Sequence, residues 1–535
     1  MGTRWAVGGY TSGMRDAGAP RFGEWVIPGL VAAVETARLI AIERMPEREM
    51  MGYIPDDAFY YLVMGRNFAR LGKWTFDGVA PATGFHLAWG YLIAAVYAID
   101  PGIGLHAMFL VAGVFQIACV TVAVWLVGRT AQRWFGAGTG WGVAVVFLSS
   151  MPLGEGISLM ETALVLVMAA ATVDLLCRTE AVNSRGMLVW AAALGFAGMT
   201  ARSDYGVLPF CLFAMQLAML RWGASSGAMV RRAGAVFAGA VAGLAVIALH
   251  THAISGGWMQ SSVRMKLQWS HSMGFSMAPA GRLLLKMLSV AENTRFHSQW
   301  VIEIVLWSAW VLPLVLLAGV GLTFRQSWPA QRVLLAGLGF ALMGYMAVYT
   351  FDRADVQNWY VGNLEAPAGV LAGAAASWFC HRRRALTTTA AAAFCLYGVM
   401  ISFRPPAPWQ ALLYDGGMYL RTHPEAKPAG AWNAGILGYL AQGGVTNLDG
   451  LVNDDIPSYV ETGTLARYVE ARGLRSLVDY TVMLAPPYST RGGYDDGELF
   501  RCVVADRVLD PPRGQLDQYN PVRVFHLKPG CLSKR

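Results

Sequence analysis

Hydrophobic positions gather into long runs between short polar breaks, from Trp25 to about Phe403. A membrane-crossing helix needs about 20 mostly apolar residues. On that scale the runs predict spans at Trp25–Ile42, Ile103–Val127, Gly138–Met151, Glu161–Cys177, Met187–Thr200, Tyr205–Leu220, Ala233–Ala253, Trp300–Phe324, Val333–Tyr349, Asn363–Cys380 and Ala385–Phe403. The run Phe85–Ile99 is only about fifteen residues, so it reads as interfacial or re-entrant. With that run left out, the Arg clusters at Arg129 and Arg133, Arg178 and Arg185, Arg221 to Arg232, Arg325 and Arg332, and Arg382 to Arg384 all fall on one side. Positive charge marks the cytoplasmic side. The prediction is a polytopic α-helical membrane protein of about 11 spans, N-terminus cytoplasmic.

From about Pro405 the hydropathy falls. Short strand-like runs appear at Leu477–Leu484 and Val522–Phe525, and a helix-like run at Tyr459–Arg472. Gly430–Leu451 alternates strand, helix, strand. The chain therefore divides into a transmembrane part, 1–404, with a first outer loop at 43–84, and a small extracytoplasmic α/β domain, 405–535.

Composition narrows the class. Hydrophobic residues make up 55% of the 535 and charged residues 14%. That excludes a soluble enzyme, a disordered chain and a disulfide-rich secreted scaffold. The net charge of +8 resides in Arg residues scattered between apolar runs, which are topology signals and not a nucleic-acid footprint. Among the seven cysteines there is no CxxC or zinc spacing; Cys502 and Cys531 alone lie in the polar tail and could pair in an oxidising compartment. The first residues hold no apolar core before Trp25, so no cleaved signal peptide is expected.

With this sidedness the unusual polar residues all fall outside: Asp56 and Asp57, His86, Glu161, Arg202 and Asp204, Arg264 and Lys266, and Asp352 to Tyr360. Ionisable groups at a membrane boundary are costly and usually face a cavity. Asp56 and Asp57 follow Pro55 and open a run in which Phe59, Leu62 and Val63 share one face and Arg66 and Arg70 another. This predicts an amphipathic helix on the membrane surface. Asp56 could be its N-cap, a general base, or both. Glu161 could be a plain helix-start acid, and Arg202 either pairs with Asp204 or faces a phosphate. Gly257 to Lys266 mixes aromatics with two cations, suiting anionic headgroups or a lipid-linked phosphate equally. No P-loop, dinucleotide glycine signature or GxSxG elbow occurs.

Several short segments together resemble the GT-C superfamily of polytopic glycosyltransferases. They are Asp56-Asp57-Ala58-Phe59-Tyr60-Tyr61, Thr83-Gly84-Phe85-His86, Met160-Glu161-Thr162, Thr200-Ala201-Arg202-Ser203-Asp204, Gln260 to Lys266, Trp359-Tyr360, and Ala431 to Tyr439 with Asn447 to Leu451. The relatives in view are protein O-mannosyltransferases, the lipid A aminoarabinose transferase and actinobacterial arabinofuranosyltransferases. Ser203 stands where Pro is usual, and Met265 where Ala is.

The resemblance implies an inverting transferase in a bacterial cytoplasmic membrane. Its donor would be a polyprenyl-phosphate sugar, and its acceptor a cell-envelope glycan, lipid or protein. Asp56 would be the base and Asp57 its partner. Lys266 and Arg202 would neutralise the phosphate, with Arg264 beside them. His86, Glu161 and Asp204 would line the cavity, and Trp359 and Tyr360 would stack on sugar or prenyl chain. The resemblance fixes no cofactor; a divalent cation (Mg, Mn or Ca), held by Asp57, is left open. A transporter or flippase is the main alternative, although no internal repeat is visible. A non-catalytic scaffold would make no demand on Asp56.

Overall fold

A computed structural model describes residues 23–178, 184–221, 225–272, 315–327, 329–352, 357–509 and 521–532. The expected loop beyond 272, most of the expected span Trp300–Phe324 and part of the stretch Asp352–Tyr360 lie outside the described residues.

Among the described residues six helices are long and apolar enough to cross a membrane: Trp25–Glu43, Leu105–Phe135, Ser203–Arg221, Gly227–Ser255, Gln331–Thr350 and Asn358–Ser402. Shorter apolar helices occupy Leu87–Ile99, Thr162–Leu176 and Val315–Gln326. The protein is a multi-pass membrane protein by this measure.

In chain order, α1 (Gly23–Glu43) leads to the short α2 (Glu47–Met50), then α3 (Asp56–Leu71) and α4 (Leu87–Ile99). The span α5 (Leu105–Phe135) runs two turns past its apolar stretch, carrying Arg129 and Arg133. The expected span Gly138–Met151 is broken into α6 (Thr139–Phe147) and α7 (Ser150–Gly156). Pro152 sits in the first turn of α7, where a missing N–H costs nothing. Then come α8 (Thr162–Leu176), α9 (Arg185–Ala201), α10 (Val207–Arg221), α11 (Gly227–Ser255) and α12 (Ser261–Ser272). The last two expected spans are two helices within Gly362–Ser402 that meet directly at Arg383, where the backbone leaves helical geometry. The Arg cluster read as a loop is therefore a kink.

One buried acid of the bundle is balanced by several cations, as a low-dielectric setting requires. Asp174, 2% exposed, accepts from Arg129 at 3.1 Å and Arg178 at 2.9 Å, with Arg133 at 3.7 Å. One acid thus gathers the cations of two inter-helix breaks.

After the bundle, a five-stranded sheet forms in the order β2-β1-β3-β5-β4. Its strands are β1 (Ala429–Ala431), β2 (Val445–Asn447), β3 (Ser476–Tyr480), β4 (Val503–Val508) and β5 (Val522–Leu527). β1 pairs parallel to β2 and β3, while β5 is antiparallel to β3 and β4. The strand–helix–strand unit expected from the sequence is β1, the helix Gly435–Ala441 and β2. The helix-like run Tyr459–Arg472 divides at Gly463, whose φ of 66° ends one helix before the next. Cys502 and Cys531 form a disulfide.

Asp174→Ala should lower stability by about 2–3 kcal/mol, the range for a lost charge-assisted hydrogen bond to a buried acid. The midpoint of thermal unfolding in detergent, compared with wild type, measures it.

Candidate active site

A cavity of about 270 Å³ opens where the helical bundle meets the sheet domain. Its lining draws on the N-terminus of α3 (Asp56, Asp57), on α12 (Lys266, Trp269), on the segment Gln357–Tyr360, and on Asn433, Asp449 and Arg491 from the sheet domain. Trp359, Trp409, Tyr480 and Tyr488 add aromatic wall.

Of the two roles open to Asp56, cap and base, capping its own helix is not what the structure shows. Instead Pro55 is the N-cap residue of α3, and Asp56 occupies the first helical position with no capping bond there. Both of its carboxylate oxygens serve another helix: Oδ2 accepts the Gly435 N–H at 3.1 Å and Oδ1 the Ile436 N–H at 2.7 Å. These are orphan donors at the start of a helix, which an acid stabilises. The approach is so close that a Cβ on Gly435 would stand 2.1 Å from the Asp56 carbonyl oxygen. The same tightness holds at Gly84, where a Cβ would meet the Leu451 carbonyl oxygen at 1.6 Å.

Neighbouring bonds lock the seam. The Tyr60 hydroxyl donates to the Trp432 carbonyl at 3.1 Å and receives the Asn447 amide at 3.2 Å. Asp479 accepts the Trp432 and Asn433 N–H groups at 2.7 and 2.8 Å. Asp454 accepts the Thr83 N–H at 3.0 Å, and Ser261 donates to the Leu451 carbonyl at 2.9 Å. The first loop, α12 and the sheet domain therefore meet at one point. Residues Ala58 to Gly65 are all buried, so the first half of α3 is enclosed and does not lie on the membrane surface as expected.

Asp57 is placed differently. Burial pushes its carboxyl up to about 6, Lys266 pulls it down and Glu161 pushes it up. Burial pushes Asp56 further, to about 8, against the two N–H donors that lower it. Asp449 is raised to about 7 by burial, with the Leu451 N–H opposing.

Glu161, 0% exposed, accepts the Tyr61 hydroxyl at 3.0 Å and Arg202 Nη1 at 2.6 Å, with His86 Nε2 at 3.4 Å. Burial holds the His86 imidazole down to about 4, so it is neutral at ordinary pH. Arg202 is 2% exposed; its Nε donates to Asp204 at 2.9 Å and its guanidinium lies 4.2 Å over the Tyr360 ring. Asp204 also accepts Asn363 at 2.6 Å and Tyr349 at 3.0 Å. The local Arg202–Asp204 pair is thus present, and the donors expected to meet a phosphate are directed to protein groups. Arg264 turns away from the cavity and pairs with Glu461 at 2.5 Å on an exposed face.

Lys266 remains in the cavity, its ammonium donating to the Tyr360 hydroxyl and lying 4.8 Å over that ring. A second cation, Arg491, stacks 4.3 Å over Trp269 and 5.2 Å over Tyr488. Sequence reasoning missed it: Thr490-Arg491-Gly492 carries no motif, and only the fold brings it opposite α12. Asp449 had a signal, the Asn447 to Leu451 segment. Among the described residues no three His, Cys, Asp or Glu side chains converge to hold a metal. Asp57, the candidate ligand, shares the cavity with Lys266 and with the carboxylates of Asp56, Glu155 and Asp449.

Gly435→Ala should unseat the 432–436 segment and cut turnover about 10²-fold, the cost of misplacing catalytic groups by roughly an ångström. Activity of the solubilised variant, with unfolding midpoint as control, checks this.

The chain matches no protein-family model and no curated protein. Among solved structures it is similar to the archaeal oligosaccharyltransferase AglB from Archaeoglobus fulgidus in complex with an inhibitory peptide and a dolichol-phosphate. That match has a TM-score of 0.49 and 13% identity, over 89% of this chain and 71% of that one. The apo oligosaccharyltransferase of the same organism gives 0.47 and 13%, over 88% and 71%. Its complex with Zn and sulfate gives 0.49 and 12%, over 88% and 71%. All three scores lie below 0.5, and the chemistry of this chain rests on its own residues.

Proposed function

We propose that the chain is an inverting membrane glycosyltransferase of GT-C type, moving a sugar from a polyprenyl-phosphate donor to a cell-envelope hydroxyl on the outer face. The observation that carries this reading is the cavity itself. An acid held near neutrality, Asp57, shares it with two cations, Lys266 and Arg491, inside an aromatic wall at the membrane boundary. That is the set of groups a sugar–phosphate cleavage needs: a base for the acceptor, positive charge for the leaving group and flat faces for sugar and isoprene.

In this mechanism Asp57 takes the acceptor hydroxyl proton. The freed oxygen attacks the anomeric carbon from the face opposite the phosphate. The carbon–oxygen bond to phosphate breaks, and its electron pair leaves with the polyprenyl phosphate. Lys266 and Arg491 balance the charge that develops there.

The base role goes to Asp57 and not to Asp56, for two reasons. Both Asp56 oxygens are already occupied by N–H donors. Burial also pushes its carboxyl up to about 8, against the two N–H bonds that hold its charged form, so those donors and not an acceptor hydroxyl claim it. Asp56 instead positions the sheet domain over the site.

Arg202, Glu161, His86 and Asp204 form the polar network behind Tyr360, and they hold that ring and Lys266 in place. Arg264 acts at the surface, pairing with the sheet domain. Trp359 and Tyr360 face donor sugar or isoprene. Residues 1–404 are the transferase bundle, and 405–535 are an extracytoplasmic domain that completes the site. The disulfide in that domain supports the sidedness. The full count of about 11 spans and the bacterial inner membrane belong to the same reading.

Asp57→Asn should reduce transfer from a polyprenyl-phosphate sugar by roughly 10²–10⁴-fold, the usual contribution of a general base. Asp56→Asn should lose less activity and lower the unfolding midpoint more. The reverse order would return the base role to Asp56. The kcat/KM of wild type should fall as pH drops through about 6, because Asp57 must be ionised to accept a proton. An acid limb unchanged in Asp57→Glu, with transfer intact in Asp57→Asn, would end the assignment.

A further inference from the structure

A second cavity, larger than the first at about 510 Å³, lies at the other end of α3. It is lined by Arg66 and Arg70 from α3, Arg421 from the helix Ala411–Thr422, and Glu47, Tyr97 and Tyr439. Nine residues separate Asp57 from Arg66, about 14 Å along a helix axis at 1.5 Å per residue. The two cavities are therefore distinct.

Three guanidinium groups face one carboxylate here. Among the described residues no ion pair within 4.0 Å is formed by Arg66, Arg70 or Arg421. Arg48, on the neighbouring α2, is by contrast closed by a two-oxygen contact with Asp415. Arg66 lies 5.4 Å over the Tyr439 ring, and its Nε is buried without a hydrogen-bond partner. Arg66 and Arg70 also favour the C-terminus of α3 through its dipole. That does not explain why Arg421, from another element, joins them. Arg66 is half-buried while Arg70 and Arg421 are exposed, so the three guanidiniums present an open, convergent donor set that an anion can complete.

The surroundings say what kind of anion. The cavity floor is Pro101 to Leu105, the turn that leads into the long span α5. Beside it Ile99 is 86% exposed, and Val111 and Val114 on α5 are exposed as well. The arginines thus sit at headgroup height, next to apolar surface suited to acyl or isoprenoid chain.

We propose that this cavity is a binding site for a net-anionic, phosphate-bearing headgroup, separate from the catalytic cavity. Three arginines donate to the phosphate oxygens, Tyr97 and Tyr439 flank them, and the lipid tail leaves along Ile99 and α5. The site stands on the membrane reading alone and does not depend on glycosyl transfer.

The test uses the full chain in phosphatidylcholine vesicles, with and without phosphatidylglycerol, and separately with inorganic phosphate. Arginine modification by phenylglyoxal is mapped by peptide mass spectrometry. Phosphatidylglycerol should slow modification of Arg70 and Arg421 about tenfold, as expected for charge-assisted contacts. Arg404, which is exposed elsewhere, should be unaffected. Protection at Arg70 should weaken about tenfold in Arg421→Gln, an exposed position whose change does not threaten the core. Protection by phosphate but not by the lipid would support the anion site and name free phosphate as its source. Equal protection of Arg404, no protection by either probe, or wild-type protection in Arg421→Gln would overturn the proposal.

Discussion

The cavity between bundle and sheet domain depends on one contact: the Asp56 carboxylate against the first N–H groups of the helix Gly435–Ala441. It joins the first turn of α3 to the sheet domain almost four hundred residues later in the chain. A carboxylate and the positive end of a helix attract, and each satisfies a polar group that burial would otherwise penalise. Because Gly435 offers no Cβ, the two backbones come close enough for both bonds to form. Tyr60, Asp479 and Asp454 then fix the segments on either side. Asn433, Asp449 and Arg491 reach the cavity only because this seam closes.

A second constraint is that charge at a membrane boundary must be balanced where it stands. Arg202 meets Glu161 and Asp204, and Tyr61, Tyr349, Asn363 and His86 take up the remaining valences. Such a network rigidifies the wall behind Tyr360, on whose ring both Arg202 and Lys266 rest. Asp174 does the same on the opposite side of the bundle for three arginines. Arg66, Arg70 and Arg421, which line the second cavity, form no ion pair within 4.0 Å among the described residues.

Much of this was legible in the residues, for reasons that differ from place to place. Spans announce themselves through apolar length, so α1, α5, α9, α10 and α11 lie close to where the hydropathy puts them. The strand–helix–strand unit of the sheet domain is equally local. Breaks were harder to read. Ser149 divides one expected span, and at the Arg382–Arg384 cluster the two expected helices meet at a kink with no loop between them, because backbone continuity is settled by packing and not by polarity. Asp56 is the clearest case. An acid after Pro55 is locally indistinguishable from a cap of its own helix, and only the distant helix Gly435–Ala441 reveals which donors it serves.

The sequence by itself therefore determined the class of protein, its apolar architecture and the residues that gather at the boundary. Hydrophobic length and charge placement act locally and leave periodic traces. The tertiary structure decided which of those residues do what. It separated Asp56 from Asp57, occupied Arg202, turned Arg264 outward and brought Arg491 opposite Lys266. These outcomes turn on hydrogen-bond partners, burial and opposing charges far apart in the chain, which no spacing within a segment can encode.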